Sequence, residues 1–111
     1  MNEYLLTMAI KNAVKESFSN LSTTTEIESG SSDCMQILRT AIASEISAIN
    51  LYTSLANMAE NPIVKKVLLD VIKEEKTHIG EFESLLKDLD PEYKQENING
   101  SKEVEEMKGN L

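Results

Sequence analysis

Two stretches of the chain place apolar residues at alternating steps of four and three. In the first, Leu38, Ile42, Glu45, Ile49, Tyr52 and Ala56 form a row, and in the second Val64, Leu68, Val71, Glu75, His78, Phe82 and Leu85 do the same. This period predicts α-helices packed as a gently supercoiled bundle. The expected first helix opens at Asp33, which with Gln36 resembles a capping box, and runs to about Glu60. Asn61-Pro62 reads as a stop followed by a restart, with Asn as N-cap and Pro at the first helical position. The second helix runs to about Leu89, and Asp90-Pro91 repeats the punctuation. The expectation is an antiparallel two-helix hairpin over residues 33–90.

The flanking segments are less regular. Residues 1–18 hold an amphipathic helix, with Leu5, Ala9, Ile10, Ala13, Val14 and Phe18 at helical spacing over 3–18. Residues 19–32 are polar and rich in Ser and Thr, the composition of a linker. Residues 91–111 read as a short, charged C-terminal helix and tail, interrupted at Asn99-Gly100. A detached amphipathic helix must bury its apolar face somewhere. Residues 3–18 are therefore expected to dock on a partner, to pack back on their own subunit or a neighbour, or to remain disordered.

Composition narrows the class. The 111 residues carry 19 acidic and 11 basic side chains, a formal charge of −8, opposite in sign to a nucleic-acid binder. Cys34 is the one cysteine, so an internal disulfide is excluded and a reducing cytosol is the expected compartment. The four cysteines of a rubredoxin-type iron centre are missing. No apolar run is long enough to span a membrane. The first residues lack the charged start, apolar stretch and small-residue cleavage site of a signal peptide.

The polar residues that interrupt the two apolar rows carry the chemistry. Between Arg39 and Glu60, Glu45 is the only charged side chain. A lone carboxylate on so apolar a helix is costly unless it is paired or bound to metal. Glu75 and His78, the chain's single histidine, form a Glu-x-x-His and share one helix face. Measured from the turn, Glu45 and the Glu75–His78 pair lie at the same level, about 23 Å along each helix. The hairpin thus aligns them side by side. A di-iron carboxylate site takes one Glu from each of two helices and a Glu-x-x-His from each of two others. One chain supplies half of that set, so two chains must meet to complete it.

Each residue also has a plainer reading. Glu45 could pair with a lysine at the bundle surface, and His78 alone would be an ordinary core histidine with one hydrogen bond. Tyr52, two turns beyond Glu45, is either a donor to a metal-bound carboxylate or a core aromatic with its hydroxyl at the edge. Glu74, Glu81 and Glu83 read as a solvated face. Carboxylates with one imidazole suit iron or manganese better than structural zinc.

The stretches ILRTAIASEISAINLYTSLA and VLLDVIKEEKTHIGEFESLLKDLDPEY resemble the encapsulated ferritins, over about residues 35 to 108. The Glu-x6-Tyr of Glu45 and Tyr52, the Glu-Glu-Lys-x-His ending at His78, and the later Asp-Pro carry the resemblance. It implies an all-α fold: half a ferritin-like four-helix bundle, completed by dimerisation, in a larger ring-like homo-oligomer. It implies Glu45, Glu75 and His78 as iron ligands, Tyr52 beside the centre, and a di-iron ferroxidase shared between two chains. It implies an encapsulin shell protein as partner and a cytoplasmic location inside that compartment. Ser44 and Ser47 stand where some family members carry acidic residues that guide metal to the site, and the tail KGNL is a faint echo of the short Gly/Leu peptide that loads such cargo. Two other readings stay open: a non-catalytic helical assembly module, with Glu45, Glu75 and His78 as a polar interface network, and a rubrerythrin-like peroxidase.

Overall fold

The structure, a computed structural model, describes residues 33–111 together with positions 4, 5, 8, 9, 11, 12 and 15, which are helical. The remainder of the expected N-terminal helix and the 19–32 linker lie outside the described residues. Three helices follow one another: α1 (Cys34–Met58), α2 (Pro62–Leu89) and α3 (Pro91–Gly109). No strand occurs among the described residues.

The boundaries are set by side chains that satisfy the first free N–H groups of each helix. Asp33 accepts from the Met35 amide at 2.9 Å. Asn61 Oδ1 accepts from both Ile63 and Val64, at 2.9 and 3.2 Å, with Pro62 occupying the first helical position. Asp90 plays a double part: its amide donates to the Leu86 carbonyl, closing α2, while its carboxylate accepts from the Tyr93 amide and opens α3.

Among the described residues α1 and α2 share the extensive contact, whereas α3 meets α2 in a small one, with Tyr93 bonded to Glu83 near the Asp90 corner. The chain is accordingly open, with extents of 50 × 47 × 22 Å. Among the described residues the buried apolar side chains are few: Ala56, Ile72 and Leu86 at 2, 7 and 2% exposure.

On α2 the apolar residues form three columns, each repeating every seven residues. Ile72, Ile79 and Leu86 make the inner column, facing α1. Leu68, Glu75 and Phe82 form a half-buried middle column. Val64, Val71, His78 and Leu85 form the outer one, where Val64 and Leu85 are 51 and 53% exposed. The row expected from the sequence combined the middle and outer columns. Instead Ile72 and Leu86 of the inner column are the buried residues, whereas in the outer column Val71 and His78 are half-buried and Val64 and Leu85 lie exposed on an open flank. Val67 and Leu89, also more than half exposed, widen that flank.

α3 differs from expectation in being continuous through Asn99-Gly100. A mid-helix glycine costs only about 1 kcal/mol relative to alanine. The Asn99 side chain, moreover, bonds inside the helix, accepting from Gln95 Nε2 at 3.0 Å and donating to Glu96 Oε1 at 3.2 Å. Its competition with the backbone, the reason asparagine marks turns, is thereby diverted.

Candidate metal centre

Glu45 is set by α1, and Glu75 and His78 by one turn of α2. A ligand atom from each lies within 4.8 Å of the others. The imidazole Nδ1 is the shared apex, 3.7 Å from Glu45 Oε2 and 3.6 Å from Glu75 Oε2. Both distances exceed hydrogen-bond length, so the three groups face a common point without bonding one another.

Burial grades across the trio. The side chains of Glu45 and Glu75 are 20 and 17% exposed, whereas His78 is 44% exposed. The carboxylates therefore sit in the covered seam and the imidazole at its open edge. This follows from the columns: Glu75 belongs to the middle one and His78 to the outer.

Glu45 Oε2 is buried and has no hydrogen-bond partner. A buried carboxylate oxygen without a donor is costly to maintain. A cation at the point shared by the three groups would satisfy it, and two carboxylates with one imidazole form a donor set suited to iron or manganese. The residues thus fit a metal. No other cluster of three potential ligands occurs among the described residues. Among the described residues the charged neighbour of Glu45 is His78 and not a lysine.

Tyr52 is half-buried on α1. No hydrogen bond joins it to the trio in the described structure. The tyrosine that does make a side-chain contact between helices is Tyr93, whose hydroxyl donates to Glu83 Oε1 of α2 at 3.5 Å. Burial, the Glu83 charge and this bond together raise the Tyr93 pKa above 10.0. Sequence reasoning left Glu83 as solvated surface. The contact depends on how α3 leaves the Asp90 corner, which residue spacing does not specify.

A helical hairpin that gathers two carboxylates and one imidazole fits a ferritin-like protein. The chain matches the Rubrerythrin family over residues 36–109 and belongs to it. It is 51% identical over 77 residues to a ferritin-like–encapsulin shell fusion protein of Pyrococcus furiosus, a match covering 69% of this chain and 22% of that protein. The chain thus corresponds to about a fifth of the fusion protein's length. The crystal structure of the encapsulated ferritin domain from Pyrococcus furiosus superposes with a TM-score of 0.66 at 52% identity, covering 68% of this chain and 76% of that one. The all-α, ferritin-like expectation is borne out. No helix among the described residues is long and apolar enough to cross a membrane.

Proposed function

We propose that the chain is a ferroxidase that oxidises Fe(II) to Fe(III) at a di-iron centre formed when two copies join. The observation that carries this reading is the buried, partnerless Glu45 Oε2 facing the Glu75 and His78 ligand atoms. One chain offers three ligating side chains, whereas a di-iron carboxylate site requires four carboxylates and two imidazoles. Two trios meeting on a two-fold axis supply that number, and an isologous contact brings identical patches together.

The open flank of α2 supports the same conclusion. It carries exposed Val64, Val67, Leu85 and Leu89 around His78. Apolar surface around an incomplete ligand set is suited to a second copy. Pairing there would also cover the 44% exposed imidazole and exclude water from the centre.

Iron is the substrate here rather than a fixed cofactor. Glu45 and Glu75 would bind Fe(II) and favour the more highly charged Fe(III) through their negative charge. His78 would hold each ion through Nδ1, the nitrogen that faces both carboxylates. Tyr52 is assigned a supporting role beside the centre. Each Fe(II) gives up one electron to dioxygen or peroxide. By analogy with the relative that is fused to a shell protein, the product is stored inside an encapsulin compartment in the cytoplasm.

The family match favours one alternative oxidant, since a rubrerythrin-like peroxidase would use the same ligands. The test is anaerobic loading with Fe(II), followed by addition of dioxygen or of peroxide, with Fe(III) absorbance recorded. Rapid oxidation that disappears in Glu75→Ala is expected, and the faster oxidant distinguishes ferroxidase from peroxidase. Oxidation no faster than in buffer with either oxidant would leave the non-catalytic assembly module as the correct reading.

A further inference from the structure

The open flank of α2 has an acidic border. Val67, Glu74, Glu81 and Asp88 recur every seven residues and form a fourth column, beside the outer column of Val64, Val71, His78 and Leu85 and away from the buried one. All four border residues are exposed. Followed from the Asn61-Pro62 turn, the flank is apolar at Val64 and Val67, acidic at Glu74 and Glu81 on either side of His78, and apolar again at Leu85 and Leu89. Neither Glu74 nor Glu81 forms an ion pair among the described residues.

The described positions near the N-terminus carry a complementary row. Tyr4, Met8, Lys11 and Lys15 follow steps of four, three and four, and so line up along a helix. Tyr4 and Met8 are 71 and 43% exposed, and both lysines are exposed. The row is apolar in its first part and basic in its second, in a chain whose formal charge is −8. Tyr4 and Lys11 stand seven positions apart, as do Val67 and Glu74. Laid parallel to α2, the row sets Tyr4 against Val67, Met8 against Val71 and Lys11 against Glu74, and it puts Lys15 within reach of Glu81. The chain is long enough to allow this. In that register Lys15 lies level with His78, about 24 Å from the turn, and Asp33, the N-cap of α1, lies about 40 Å from it. Residues 16–32 join those two points, and a segment of that length reaches up to about 56 Å.

We infer that the N-terminal segment folds back over the open flank of its own chain, parallel to α2, with Tyr4 and Met8 on Val67 and Val71 and with Lys11 and Lys15 facing Glu74 and Glu81. Burial of apolar surface on both sides supplies most of the attraction. The opposed charges fix register, since exposed ion pairs individually add little. The contact uses residues of one chain and stands apart from the ferroxidase reading. Its consequence for assembly rests on that reading. The flank is the surface proposed to receive a second copy, so the segment and the copy compete for it. The segment is then an internal cover. It raises the protein concentration needed for metal-free pairing, and it yields when a metal at the half-sites favours the pair.

Zero-length carbodiimide cross-linking of the full, metal-free chain tests the contact. A mixture of ¹⁵N-labelled and unlabelled chains is treated at a concentration where native mass spectrometry shows monomer. Links from Lys11 or Lys15 to Glu74 or Glu81 are expected, and only between peptides of like label. Their absence, or their appearance only between unlike labels, overturns the inference. The competition is measured in Lys11→Glu with Lys15→Glu, a change that touches no proposed metal ligand. Loss of the cover should move the metal-free monomer–dimer midpoint to lower protein concentration, by about threefold or more. A midpoint that moves to higher concentration shows that the segment promotes pairing, and overturns its role as a cover. Like-label links together with an unmoved midpoint uphold the contact and place the error in the pairing of half-sites proposed above. Should the variant fail to fold, the links in the parent chain decide.

Discussion

Three side chains hold the proposed chemistry, and they are not equivalent. Glu45 and Glu75 occupy the covered seam, and His78 its open edge. Glu45→Ala, Glu75→Ala and His78→Ala each remove a ligand and should abolish rapid Fe(II) oxidation in stopped-flow absorbance. Tyr52→Phe should slow it far less, since the hydroxyl acts at most through a ligand. Glu45→Ala has a second consequence. It deletes the buried oxygen that lacks a partner, so the metal-free variant should not be less stable than the metal-free parent, although the parent gains stability from metal and the variant does not. Thermal denaturation with and without a redox-inert divalent ion checks both halves. At the other end of α2, Tyr93 is a pH-sensitive tie between α2 and α3. Its folded pKa is raised, so the folded state holds the phenolic proton more tightly than the unfolded state does. The stabilisation is fully present below pH 10.0 and is lost as pH rises through the higher folded value. Phenolate absorbance should show one late-titrating tyrosine, missing in Tyr93→Phe.

At the scale of the helices, local chemistry was legible and the choice of flank was not. Asn61-Pro62 and Asp90-Pro91 announced the breaks because a side-chain cap and a proline without an N–H each act within a few residues. The level of Glu45 against Glu75 and His78 followed from a short turn and the constant rise per residue. The buried column was misplaced because α2 is apolar over a wider arc than α1 can cover. Ile72 and Leu86 are inside, while Val64 and Leu85, in the expected row, remain outside. A sequence records that both flanks are apolar, but which one meets the chain's own helix depends on how the hairpin closes. Asn99-Gly100 misled for the reverse reason, since its weak helix propensity is outweighed by bonds within the turn. The covered column yields a stability prediction. Leu86→Ala empties one of the few fully covered sites and should cost about 2–5 kcal/mol. Leu85→Ala, one residue away on the open flank, should cost the isolated chain far less and show its effect on dimer formation. Urea denaturation, combined with sedimentation, separates the two.

On the proposed reading the chain is one half of a pair. Among the described residues it buries three apolar side chains, leaves an apolar flank open beside two carboxylates and an imidazole, and extends a third helix that meets α2 in a small contact. The first two features concern the same surface, so metal binding and pairing of the chains should be thermodynamically linked. Without metal, pairing the flanks gains apolar burial but brings four carboxylates together, and like charges that close oppose one another. A divalent ion removes that opposition and adds bonds available only in the pair. It must therefore tighten dimerisation, and by reciprocity dimerisation must tighten metal binding. Native mass spectrometry over a dilution series, with and without Fe(II) under anaerobic conditions, should show the monomer–dimer midpoint moving to lower protein concentration when metal is present. In Glu45→Gln the charge is gone but the shape is kept. This variant should dimerise without metal at least as well as the parent and lose most of the metal-dependent shift. A midpoint unmoved by iron that is demonstrably bound would show that each trio acts within its own chain. The pairing of half-sites, and the di-iron centre with it, would then be wrong.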